Sequence, residues 1–174
     1  GFVAVAILLF VIGWFFFLKP YQKDRVINFI NPGRDPLGSG YNIVQSTIAI
    51  GAGQWFGRGL GFGSQSQLRF LPEAQTDFIF SVIGEELGLA GVAAMLVLFG
   101  ILFWRLLLII KKTNNDFVAA AATGILILFF VQLFTNVGAN LGLLPITGVT
   151  LPFISYGGSS LVMSMLLVGI LESM

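Results

Sequence analysis

FVAAAATGILILFFVQLFTNVGANLGLLPITGVTLPFISYGGSSLVMSMLLVGIL, residues 117–171, runs 55 positions without one charged side chain. As a single helix rising 1.5 Å per residue it would be about 80 Å long, more than twice the hydrocarbon thickness of a bilayer. The stretch must therefore turn back on itself. Its helix breakers sit together, at Gly142, Pro145, Gly148, Pro152 and Gly157-Gly158. Two membrane helices, 117–140 and 159–174, joined by an irregular re-entrant segment over 141–158, fit this pattern. Irregular backbone at membrane depth is tolerated only where protein buries it or where it lines a wet cavity, so 141–158 reads as a cavity wall.

Working outward, Leu87 to Trp104 is another uncharged stretch, closed by Arg105 and Lys111-Lys112, and places a membrane helix over 81–110. Residues 1–18 are uncharged and end in the aromatic belt Trp14-Phe15-Phe16-Phe17 before Lys19-Pro20. They lack the basic start and small-residue cleavage site of a signal peptide and read as a first span. The expected fold is an all-α polytopic membrane protein of about four transmembrane helices, with a long outer loop over 19–80, an inner loop over 111–116 and a second, irregular outer loop over 141–158. Paired lysines 111 and 112 set the orientation by the positive-inside rule. The chain starts and stops inside apolar runs and reads as part of a longer protein.

Composition agrees: 56% of the 174 residues are hydrophobic and 10% charged, with mean hydropathy +0.93, too apolar for a soluble domain. A net charge of +1 gives no field to attract nucleic acid. Without Cys or His there are no disulfides, thiolates or imidazole bases, and any metal must sit on oxygen ligands.

Within the outer loop, Tyr41, Val44, Ile48, Gly51 and Trp55 recur at steps of three and four, with Asn42, Gln45, Ser46 and Gln54 off the stripe, as in an interfacial helix. The densest polar cluster follows, from Gln65 to Phe80. Thr76 is placed to cap the next helix, with Asp77 in its first turn, where the positive helix end stabilises a carboxylate. Capping is the plainer reading. The chemical one is that Asp77, held at a membrane surface, accepts a proton from a sugar hydroxyl or binds a divalent cation. Glu85, eight residues on, either faces the same cavity or, with Glu86, simply meets interfacial water. Arg58 and Arg69 are local candidates for a pyrophosphate; Lys19, Lys23, Arg25 and Arg34 could do the same or snorkel to headgroups. Gln67, Glu73 and Thr76 in the cluster, and Ser155 and Tyr156 in the re-entrant segment, complete the candidate substrate-binding set. Ser159 and Ser160 lack a nearby activating base, and Gly157-Gly158 suit capping and close packing. Glycines 57–63 lack the βαβ setting of a nucleotide loop.

Together these motifs resemble the SEDS (RodA/FtsW/SpoVE) family of bacterial cell-wall proteins. The likeness rests on Asn31-Pro32, Asp35-Pro36-Leu37-Gly38-Ser39-Gly40-Tyr41, Gln45-Ser46, Leu71-Pro72-Glu73-Ala74-Gln75-Thr76-Asp77-Phe78, Gly84-Glu85-Glu86-Leu87-Gly88, and Pro145-Ile146-Thr147-Gly148 to Ser160. It covers almost the whole chain, which would correspond to about the last four helices of a ten-helix fold. Gln65-Ser66-Gln67-Leu68 and Asp35-Pro36-Leu37-Gly38 look more like the RodA branch. The resemblance implies a peptidoglycan glycosyltransferase of the bacterial cytoplasmic (inner) membrane that adds lipid II to a lipid-linked glycan strand. It also implies a class B penicillin-binding protein and a cell-wall elongation complex as partners. Asp77 takes the place of the family's essential Asp, as general base or as ligand of Mg²⁺ or Mn²⁺, with no organic cofactor. Gln75 stands where many relatives have His. A lipid II flippase and a non-catalytic membrane scaffold are the alternatives.

Overall fold

A computed structural model describes residues 19–30, 38–67, 70, 71 and 73–172. The expected span 1–18, the turn 31–37 and Arg69 lie outside the described residues. The described elements are all helical: α1 Pro20–Ile30, α2 Ser39–Gly53, α3 Ser64–Gln67, α4 Ile79–Lys112, α5 Asp116–Asn140 and α6 Gly158–Glu172. Helices α4 and α5 are long and apolar enough to cross a membrane, and only 17% and 22% of their most hydrophobic windows is buried within the protein. Their apolar side chains face outward, as a lipid solvent allows and water does not. Helix α6 is apolar but has 15 residues, about 22 Å, short of a bilayer core.

Helices α4 and α5 pack as an antiparallel pair, joined by Thr113-Asn114-Asn115. Asn115 caps α5 by accepting the Phe117 N–H at 3.0 Å, and Asp116 sits in the first turn, where the helix dipole favours it. Lys111 and Lys112 end α4 with the opposite preference. The core between them has two parts. Leu106, Ala122, Ile125, Phe129 and Leu171 fill the lysine-bearing end; Phe80, Met95, Phe99 and Leu151 fill the other. Phe153 from the 141–157 segment reaches both and meets Phe129 edge-on, ring centroids 5.3 Å apart.

Helix α4 is broken at Gly88, whose φ of 67° no L residue adopts cheaply. The break frees backbone groups that the 53–59 segment satisfies: Arg58 and Gly59 N–H groups donate to the Glu85 and Glu86 carbonyls, both at 3.0 Å, and Leu89 and Ala90 N–H groups donate to the Gln54 and Trp55 carbonyls at 2.8 and 3.0 Å. Three glycines make this crossing possible. A Cβ on Gly53 would lie 1.8 Å from the Gly84 carbonyl oxygen, one on Gly57 2.1 Å from that of Glu86, and one on Gly88 2.3 Å from the Gly57 nitrogen. The glycine-rich run 57–63 is thus partly a backbone clamp.

Helix α2 also differs from expectation. Val44, Ile48, Gly51 and Trp55 are exposed, as a lipid-facing stripe should be, although Trp55 lies beyond the helix end. Ser46, expected on the hydrated side, is fully buried against α4 and α5. One face of α2 meets protein while the other is free for lipid, so its buried polar groups are hydrogen-bonded rather than solvated.

Candidate active site

The site is built where the turn 73–78 meets the segment 145–157. Glu73 has a left-handed φ of 56°, which aims its carbonyl inward to accept the N–H groups of Thr76, Asp77 and Phe78 at 3.1, 3.2 and 3.3 Å. The Thr76 hydroxyl donates back to the Glu73 carboxyl at 3.0 Å. Thr76 is therefore not the cap of α4. That helix starts at Ile79, Phe78 occupies the N-cap without a side-chain hydrogen bond, and the first turn carries no acid. Asp77 stands one residue before the cap.

Among the described residues, four hydrogen bonds tie residues 75–77 of this turn to α5 and to the 151–156 segment. The Asp77 carbonyl accepts from Asn136 Nδ2 and Asn140 Nδ2, each at 3.0 Å. The Thr76 carbonyl accepts the Ser155 hydroxyl at 2.7 Å, and the Gln75 carbonyl accepts the Tyr156 N–H at 2.8 Å. Asn136 Nδ2 also donates to the Val149 carbonyl at 2.8 Å. The two irregular segments, expected on one face of the membrane, are thus joined through their backbones. Asn140 continues into a buried knot: its Oδ1 accepts the Ser81 hydroxyl at 2.5 Å, Ser81 and Ser46 hydroxyls are 2.6 Å apart, and Ser46 donates to the Asn140 carbonyl at 2.6 Å.

The Asp77 carboxyl is left open by this arrangement. Among the described residues no donor closes on it, and a Cβ on Gly148 would be 3.6 Å from its Oδ2. Burial raises its pKa above the usual carboxylate value, the neighbouring Glu73 carboxyl raises it further, and Arg25 of α1 pulls it back down. A base stabilised by a helix end was expected; the structure has one destabilised by burial and a like charge, and hence more basic.

The other candidates divide. Glu73 and Thr76 share the turn with Asp77. Tyr156 joins it through its backbone while its side chain is 76% exposed beside the site. Ser155 is buried, and its hydroxyl also accepts the Leu151 N–H at 2.7 Å, so it braces backbone on both sides. Glu85 is 0% exposed, not hydrated; it accepts the Gln65 N–H at 2.9 Å and the Ser64 hydroxyl at 3.3 Å. Arg58, exposed, reaches Ser64 at 2.9 Å on that same side. Gln67 ends α3. Gly157 caps α6 through its carbonyl, 3.0 Å from the Leu161 N–H, and a Cβ on Gly158 would meet open space, so no close packing requires that glycine. Glu85→Ala is expected to strand the Gln65 N–H and cost about 1–3 kcal/mol, seen as a lower melting temperature of the full-length protein, while activity per folded molecule is kept.

Sequence reasoning passed over Asn136 and Asn140. Their signal was available: two amides at i, i+4, hence on one helix face, inside a long uncharged stretch. Arg25 reads from sequence as one of several cations for a pyrophosphate or for lipid headgroups, and nothing in its local sequence links it to Asp77.

The profile of the FtsW/RodA/SpoVE cell cycle proteins matches residues 1–174, the whole chain. The chain belongs to this family. Peptidoglycan glycosyltransferase MrdB of Escherichia coli K12 is 46% identical over 174 residues, 99% of this chain and 47% of that protein. Stage V sporulation protein E of Bacillus subtilis 168 is 45% identical over 152 residues, 87% of this chain and 41% of its own length. The probable peptidoglycan glycosyltransferase FtsW of Pseudoalteromonas translucida is 50% identical over 157 residues, 88% of this chain and 39% of its own. The chain therefore spans a little under half the length of these FtsW/RodA/SpoVE relatives. A solved peptidoglycan synthase complex that coordinates polymerization and crosslinking contains a chain with TM-score 0.70 and 37% identity, covering 98% of this chain and 46% of that one.

Proposed function

We propose that this chain carries the catalytic centre of a peptidoglycan glycosyltransferase that polymerises lipid II during cell-wall elongation, with Asp77 as general base. The observation that carries the reading is the open, partly buried Asp77 carboxyl on a backbone fixed by Asn136 and Asn140. Asp77 takes the proton of the GlcNAc 4-hydroxyl of lipid II as that oxygen bonds to the anomeric carbon of the lipid-linked strand. The bond from that carbon to undecaprenyl pyrophosphate breaks with inversion, and the pyrophosphate departs with the bonding pair. A raised pKa suits the task, because proton transfer is most effective when the base's pKa approaches the working pH. Holding two membrane-tethered substrates beside one carboxylate supplies effective concentration.

Arg25 is a cation whose charge acts on Asp77, Tyr156 belongs to the proposed substrate surface, and Arg69 stays a candidate for the pyrophosphate from its sequence. Mg²⁺ or Mn²⁺ fits the same corner. Among the described residues no three acidic groups gather, but Mg²⁺ commonly takes one or two carboxylates and completes its shell with substrate phosphate. Glu73 and Asp77 would hold it, and when bound it would offset the charge of the leaving pyrophosphate. The relatives' names support the activity, and the synthase complex supports a crosslinking partner, a class B penicillin-binding protein, in the inner membrane. The four-span topology belongs to the same proposal. The test is strand synthesis from purified lipid II by the full-length parent with its partner. Strands made equally well by Asp77→Asn would return the choice to a flippase or a scaffold.

A further inference from the structure

At the end of α4 remote from Asp77, a cleft of about 770 Å³ opens between α4, the start of α5 and the end of α6. Its wall is apolar, from Leu108, Ile109, Val118 and Leu171, and its rim carries Arg105 and Lys112, with Thr113 and Glu172 beside them. Arg105 and Lys112 are seven residues apart, two helical turns, and so lie on one face. Both are exposed, and among the described residues neither makes a hydrogen bond or an ion pair. Glu172 lines the cleft without pairing to either.

From this we infer that the cleft is a binding site for an anionic phospholipid of the leaflet at the Lys111–Lys112 end. Two cations at the mouth of an apolar cleft, unpartnered among the described residues and at the edge of a membrane span, match one phosphate and one acyl chain. Arg105 starts about 10 Å deeper along α4 than Lys112, and its long side chain snorkels to the same headgroup level. A guanidinium takes the phosphate oxygens bidentately, while the ammonium acts as a point charge. The chain lies along Leu108, Ile109 and Leu171. The cleft has the volume of ordinary ligand sites, and basic pockets between helices at this membrane boundary suit acidic headgroups.

The experiment uses the full-length protein with its partner, in phosphatidylcholine nanodiscs titrated with phosphatidylglycerol, with bound phosphatidylglycerol read by native mass spectrometry. Arg105→Gln and Lys112→Gln are each expected to weaken retention roughly fivefold, and the pair roughly 25-fold. Lys111→Gln, a neighbouring exposed cation outside the cleft, is expected to change it less than twofold. Equal effects from all three lysine and arginine substitutions would reduce the site to general surface attraction and overturn the proposal. Unchanged retention in the double variant would also overturn it and leave the cleft to another segment of the parent chain. A third arm adds inorganic phosphate: displacement of the lipid at millimolar phosphate would show that the rim binds phosphate without the apolar wall, against the proposal.

Discussion

Replacing Asp77 by Asn is expected to lower strand synthesis by about 10²–10⁴-fold, the range that a positioned general base supplies, with folding and partner binding unchanged. The amide is nearly isosteric, and every hydrogen bond seen at this residue runs through its backbone, so the turn 73–78 should hold its shape. The pH profile tests the reason. Asp77 must be deprotonated to act, so activity rises as pH passes upward through its raised pKa, and the acidic limb of kcat/KM lies above the ordinary carboxylate range. Glu73→Gln removes a like charge that raises that pKa, and the limb should move to lower pH. Arg25→Gln removes a cation that lowers it, and the limb should move higher. Damage to folding would depress the plateau without moving the limb in opposite directions for the two variants. A cation titration run on the same variants separates the roles, since loss of Glu73 would also weaken a divalent ion held between the two carboxyls.

Those parts of the architecture that depend on one-dimensional signals were legible in the sequence. The apolar stretches gave α4 and α5 to within two residues at each end, and the cluster of Gly and Pro over 142–158 marked an irregular segment. Alternation of spans leads to the expectation that this segment shares a membrane face with Asp77, and the bonds from Ser155, Tyr156 and Asn136 bring the two segments into contact. What could not be read was pairing between distant polar groups. Glu85-Glu86 near a membrane boundary suggests hydration, yet Glu85 is buried because residues 64 and 65 fold over it. Thr76-Asp77 has the composition of a helix start, yet the left-handed Glu73 draws three N–H groups to its own carbonyl and delays the helix to Ile79. Gly88 falls inside the span expected over 81–110, and the crossing of Gly53 and Gly57 explains the break there. In each case local propensity yields to a partner supplied from far along the chain.

Asn140 is where that long-range pairing bears on function, and Asn140→Ala is expected to be the costliest change to the fold near the site. Its amide donates to the Asp77 and Asn136 carbonyls, and its oxygen accepts the Ser81 hydroxyl. Alanine leaves buried polar groups without these partners, at about 1–3 kcal/mol each, for a total of about 2–5 kcal/mol in urea or thermal unfolding of the full-length protein. Asn136 still holds the Asp77 carbonyl, so the turn should loosen rather than detach. A displacement of about 1 Å at a reacting group costs on the order of 10²-fold in rate, and the loss should fall on kcat more than on KM. Asn140→Asp sharpens the point, because it retains an acceptor for Ser81 while removing both donors and setting a carboxyl against two carbonyls. Ser81→Ala takes away only the far end of the knot. Stability should fall by about 1–3 kcal/mol there, with kcat nearly kept, because the Ser81 hydroxyl has no bond to the Asp77 turn and alanine keeps the backbone N–H that does. Equal kcat losses in Ser81→Ala and Asn140→Ala would mean that the amide acts through packing alone and does not position the carboxylate.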